Sequence, residues 1–190
     1  NKELINFIQN TIAEKKLNIK CLVQNNTITI ESYGKSAHAA HPDLGINAIS
    51  NALILLNDIY SYTNINFPIL NFFNKFINIE HNGKSLAIDC ADESGSLTLN
   101  VGTLSLEDNT ISIGLNLRIP VNTNIDNICN SFNSIIDNHY NKKLTVSFSG
   151  IKSPLYIDKN NKLVQTLCNI FNNYTNSKEE PIAIGGATYA

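Results

Sequence analysis

Apolar residues recur along this chain with two periods, and the alternation between them outlines the fold. Leu4, Ile5, Ile8, Ile12 and Leu17 fall on one face at helical spacing, so Glu3–Leu17 is predicted to be a helix. Ile19–Val23 and Thr27–Ser32 follow as strand-like runs around Asn25-Asn26, an asparagine pair that tolerates the left-handed backbone of a tight hairpin. An irregular stretch from Tyr33 to Gly45 precedes Ile46, Ile49, Leu53, Leu56 and Ile59, the inner face of a second amphipathic helix. Phe67–Ile79, entered through Pro68, predicts a third helix, since a first-turn proline lacks only an N–H that has no helical partner there.

The second half has the same grammar. Ser96–Leu106 and Thr110–Val121 alternate apolar and polar residues about Glu107-Asp108-Asn109, which predicts a second hairpin. Asn124–Tyr140 is expected to be a helix with Ile125, Ile128, Phe132, Ile135 and Ile136 inward, followed by a strand over Leu144–Phe148. A further helix over Asn160–Tyr174 leads to a short apolar strand at Pro181–Ile184. Strand pairs alternating with one-sided helices imply an α+β two-layer sandwich, with helices covering one face of an antiparallel sheet.

Composition narrows the function classes. At 43% hydrophobic and 16% charged over 190 residues, the chain has material for one core or two small ones. The formal charge is -2 and the lysines are scattered, which argues against a nucleic-acid partner. No apolar run approaches the roughly 20 residues of a membrane helix, so a cytoplasmic protein is expected. Cys21, Cys90, Cys129 and Cys168 lie far apart without a C-x-x-C pair and are read as free thiols. The start at Asn1 without any Met, and the end just past a Gly-Gly turn, lead us to expect an internal piece of a longer protein.

The chemistry concentrates in Gly34–Ile49, GKSAHAAHPDLGINAI, where small residues flank His38 and a Pro-Asp-Leu-Gly turn precedes the helix. This string resembles the lid, or dimerisation-domain, signature of the zinc aminoacylase and dipeptidase family. Asn116-Leu117-Arg118-Ile119-Pro120 is similar to the family's Asn-x-Arg-x-Pro strand. Ile184-Gly185-Gly186-Ala187-Thr188-Tyr189 resembles the Gly-Gly-Gly-Thr-Tyr turn of dipeptidase V and carnosinase-type enzymes, with Ala187 in place of the third glycine. The long insert between His38 and Arg118 looks like the enlarged lid of that branch.

The resemblance implies a zinc-dependent dipeptidase, in which a lid over residues 1–153, built of ferredoxin-like halves, closes on a small peptide and residues 154–190 begin the returning part of an α/β catalytic domain. His38 would then be catalytic, donating a hydrogen bond to the tetrahedral intermediate. Arg118, the chain's only arginine, would bind the substrate carboxylate bidentately, and Gly185, Gly186 and Thr188 would line the substrate cleft. Two zinc ions are implied for the full-length enzyme, activating water, with ligands outside this chain and the remaining catalytic domain in the same polypeptide as partner. His41-Pro42-Asp43 imitates an H-x-D zinc motif but is read as a turn. His81 and His139 have no ligand-spaced partners and are read as surface residues. Two other readings stay open: a lid of an N-acyl amino acid deacylase of the same family, and a non-catalytic ferredoxin-like binding module.

Overall fold

The computed structural model describes residues 2–38 and 41–182. Among these, the chain runs α1 (Lys2–Glu14), β1 (Ile19–Gln24), β2 (Thr27–Ser32), α2 (Ala48–Tyr62), α3 (Pro68–Phe76), β3 (Ala91–Asp92), β4 (Gly95–Ser96), β5 (Thr98–Glu107), β6 (Thr110–Arg118), α4 (Ile125–Tyr140) and α5 (Lys162–Thr175). Short 3-10 turns at Pro42–Leu44 and Lys84–Leu86 join them. The fold is α+β, as the two periods predict, and its strands pair as three antiparallel hairpins, β1-β2, β3-β4 and β5-β6.

Asparagine does much of the local shaping. Asn25-Asn26 and Asp108-Asn109 are left-handed at both positions, as two-residue hairpin turns matching strand twist require. Asn141 and Asn176 end α4 and α5 in the same conformation, the role glycine usually takes at a helix C-terminus. Asn78, also left-handed, donates its N–H to Phe73 O and stops α3 three residues short of Ile79. Lys16 does likewise after α1, so Leu17 lies beyond the helix although it still packs on the core.

The main core forms where α2, α3 and α4 meet β5. Leu53 and Ile54, Phe72, Phe73 and Phe76, Leu99 and Val101, and Ile128, Phe132 and Ile136 make one buried cluster. Burying a side chain of Phe73's kind, here 0% exposed, stabilises by about 1.5–3 kcal/mol. Tyr140 closes the cluster edge-on to Phe72 at 5.8 Å while its hydroxyl donates to Asn71 Oδ1 at 2.8 Å. Burial raises the Tyr140 pKa. Ile8 of α1 and Leu55 of α2 are buried outside this cluster, where α1 lies along α2, and Lys15 pairs with Asp58 between the two helices.

Pairing Leu99 with Leu117 and Asn100 with Asn116 gives the β5-β6 hairpin two unlike faces. Leu99, Val101, Ile113, Leu115 and Leu117 turn to the helices, whereas Thr98, Asn100, Asn116 and Arg118 share the opposite, wholly polar face. This is the two-layer arrangement read from the sequence.

Two elements differ from expectation. Leu144–Phe148 forms no strand; Leu144 and Val146 still pack on the core, so their alternation reflects one-sided burial without a strand edge to pair with. Pro181 and Ile182 are likewise not in a strand, and the rest of that predicted strand lies outside the described residues. No helix among the described residues is long and apolar enough to cross a membrane. α5 stands apart: no residue in it is buried, and Leu163, Leu167, Ile170 and Tyr174 form an exposed apolar row.

Candidate functional site

The loop carrying His38 is closed at its base by a short ladder. Lys35 N donates to Ile46 O and Ile46 N to Lys35 O, both at 3.0 Å. The two strands of this base approach so closely that only glycine fits beside them: a Cβ on Gly34 would sit 2.8 Å from Ile46 O, and one on Gly45 2.7 Å from Lys35 O. Within the loop, His41 N donates to His38 O at 2.8 Å, and the 3-10 turn after it buries Pro42 against the fold. His38 itself is exposed at the rim, and the turn Pro42–Leu44 lies against β5. His41 and Asp43 are exposed residues of that turn, as their sequence context suggested.

Asn47 joins this loop to the rest. Its Oδ1 accepts the Ser50 N–H at 3.0 Å and caps α2, while its Nδ2 donates to Val101 O at 2.7 Å and to Asn100 Oδ1 at 3.2 Å on β5. The neighbouring backbone N–H of Leu99 donates to His81 O at 2.8 Å, so the outer side of β5 is held by two loops instead of a third strand. A cleft of about 210 Å³ opens there, lined among others by Asn47, Ser50, Asn51, His81 and Asn100. His81 is thus a half-buried residue of this cleft, whereas His139 is exposed on α4 with its ring 5.5 Å from Phe76.

Arg118 ends β6 opposite Thr98, exposed on the polar face of the hairpin. The segment after Arg118 is anchored tightly. Pro120 is buried, Val121 N donates to Ser94 Oγ at 3.1 Å, and Asn122 N donates to Asp92 Oδ2 at 2.7 Å. Asp92 also accepts from the Ser94 hydroxyl and backbone N–H. These donors, the Ser94 hydroxyl first and the Asn122 N–H second, hold the Asp92 carboxyl below its ordinary range. The adjacent Glu93 accepts from the Tyr156 hydroxyl, drawing the segment after α4 onto the same turn and raising the Tyr156 pKa.

His38 and Arg118 are therefore placed by one frame, loop on β5 and β5 on β6. Gly185, Gly186 and Thr188 lie outside the described residues. Among the described residues, no group of three His, Cys, Asp or Glu side chains could hold a metal ion. Asn47 and Asp92 are framework residues that the sequence motifs do not mark, although each carries a local signal. An asparagine directly before an amphipathic helix marks an N-cap, and Asp92-Glu93-Ser94-Gly95 has turn composition.

Residues 25–144, which contain the His38 loop, the Asn47 junction and the Arg118 strand, match the family model described as "Peptidase dimerisation domain" of the M20 type. The chain belongs to the M20 peptidase family. It is 31% identical over 196 residues to a Bacillus subtilis protein named "Putative dipeptidase YtjP", which it matches over 100% of its own length. Similarly named proteins of Staphylococcus epidermidis and Staphylococcus haemolyticus are 30% and 28% identical, each over 193 residues and 99% of this chain. The chain spans 40% of the length of each of these relatives. It is a dipeptidase-like M20 chain centred on the dimerisation domain, as the sequence motifs imply. Peptidases of this family are in general metal-dependent.

Proposed function

We propose that this chain supplies the lid of a dipeptidase, carrying His38 and Arg118 to a small peptide held by the catalytic domain of the same polypeptide. The observation that carries the reading is the common frame: the His38 loop is bonded through Asn47 to β5, and β5 is paired with the strand ending in Arg118. Two long polar side chains with separate tasks on one substrate need such a fixed relation, because misplacement by about 1 Å can cost about a hundredfold in rate.

In this reading, an imidazole N–H of His38 donates to the oxygen that gains charge as the peptide carbonyl becomes tetrahedral. Arg118 pairs its two parallel N–H groups with the free carboxylate of the substrate. That pairing limits length, since a peptide extending past the carboxylate would meet the hairpin. Gly185, Gly186 and Thr188 line the cleft on the catalytic side. The lid is residues 1–153, and residues 154–190 belong to the catalytic domain; the exposed apolar row of α5, which finds no partner in the main core, supports this division. The metal is zinc, as two ions bound by residues outside this chain, and the enzyme is cytoplasmic.

The test is His38→Ala in the full-length protein, with dipeptide turnover and bound metal measured together. Loss of an oxyanion donor lowers kcat by about a hundredfold or more at unchanged metal content. An unchanged kcat removes His38 from the mechanism.

A further inference from the structure

The Asn47 amide performs two tasks with its two ends. Oδ1 accepts from Ser50 N at 3.0 Å, and Nδ2 donates to Val101 O at 2.7 Å and to Asn100 Oδ1 at 3.2 Å. The orientation is fixed twice over, because an N–H faces one end and a backbone carbonyl the other. Capping alone would be served as well by serine, threonine or aspartate. An amide carries its acceptor and its donor on two separate atoms, so one end serves the helix and the other the strand, whereas a hydroxyl has both on a single atom; glutamine is a methylene too long for the cap.

Asn47 also lies where the histidine loop is tied to the arginine hairpin. On one side, Ile46 is locked to Lys35 by two hydrogen bonds, three residues before His38. On the other side, Asn100 faces Asn116 across the hairpin, and Asn116 is two residues from Arg118 on the same polar face. We propose that Asn47 is a positioning residue, setting where the His38 loop stands relative to the Arg118 hairpin. The inference rests on the lid reading above, since it assigns Asn47 an effect exerted through His38.

The experiment is a double-mutant cycle in the full-length enzyme with a dipeptide substrate. Asn47→Ser keeps the helix cap and deletes both donations to β5. Losing the two donations should lower the melting temperature modestly, while kcat per folded molecule falls by between about tenfold and about a hundredfold. KM and the preference for a free carboxylate over a C-terminal amide should hold, because Arg118 is fixed by β6. In the His38→Ala background, Asn47→Ser should lower kcat no further, since the residue it positions is gone. A second variant, Asn47→Asp, retains the cap and should reproduce the kcat loss, which keeps the test decisive if the serine variant folds poorly.

A lowered melting temperature with kcat per folded molecule unchanged would reduce Asn47 to a helix cap and overturn the proposal. So would losses that multiply in the double variant. If His38→Ala lowers kcat but neither Asn47 variant does, the lid reading stands and the positioning role falls. If His38→Ala leaves kcat unchanged, both fall together.

Discussion

Gly45→Ala tests the close approach at the base of the histidine loop. Gly45 has φ -107° and ψ -177°, a conformation any residue adopts, so alanine there meets no backbone strain. The obstacle is steric. The new Cβ would lie 2.7 Å from Lys35 O, the acceptor of the Ile46 N–H, and 2.9 Å from the Ala37 Cβ, so the base ladder must open. Gly102 provides a control: its φ is not positive, and the nearest atom to its Cβ would be Gly114 O at 3.8 Å, an ordinary contact. Alanine at either position restricts the unfolded chain equally, a gain of about 0.4–1 kcal/mol that cancels between them. The difference is therefore the overpacking cost, about 1–3 kcal/mol. With an m-value of about 2 kcal/mol/M in urea, the Gly45→Ala midpoint should fall about 0.5–1.5 M below that of Gly102→Ala. Equal midpoints for the two variants would show that the loop base is not packed as described.

The core and the Asp92 turn set two further expectations. Phe73→Ala empties the centre of the main core and should cost about 3–5 kcal/mol by urea unfolding; a loss under about 1 kcal/mol would contradict that placement. The Asp92 carboxyl is held below its unfolded value, so its contribution is complete above about pH 4 and is lost as pH falls through the folded value. The gap in urea midpoint between wild type and Asp92→Asn should accordingly shrink on acidification from about pH 6 to about pH 2.5, and a constant gap would refute the linkage.

The amphipathic elements were legible because burial alone writes their pattern. α2 and α4 fall where the 3.6-residue period places them, and the two hairpins turn at Asn25-Asn26 and Asp108-Asn109. Leu144–Phe148 misled for the same reason, since alternation reports which side of a segment is buried and not whether a neighbouring strand supplies hydrogen bonds. Seven of the eleven described non-glycine residues with positive φ are asparagines, so turns and helix ends draw on this residue where glycine would otherwise serve. At the site, His38 and Arg118 were visible as residues in motifs. The groups that place them were not: Asn47 acts across 54 positions on Val101, and Asp92 across 30 on Asn122, separations that local periodicity does not encode.

The role proposed for Arg118 is to hold a small peptide by its free carboxylate. It is tested by kcat/KM of the full-length protein for a dipeptide and for the same dipeptide amidated at its C-terminus, in wild type and in Arg118→Lys. Lysine keeps the charge but loses the paired donors, which should cost about 1.5–3 kcal/mol in kcat/KM for the free acid. Wild type should discriminate strongly against the amide, and the lysine variant much less. An acid-to-amide ratio that is the same in both enzymes would contradict the account and leave Arg118 a structural residue at the end of β6.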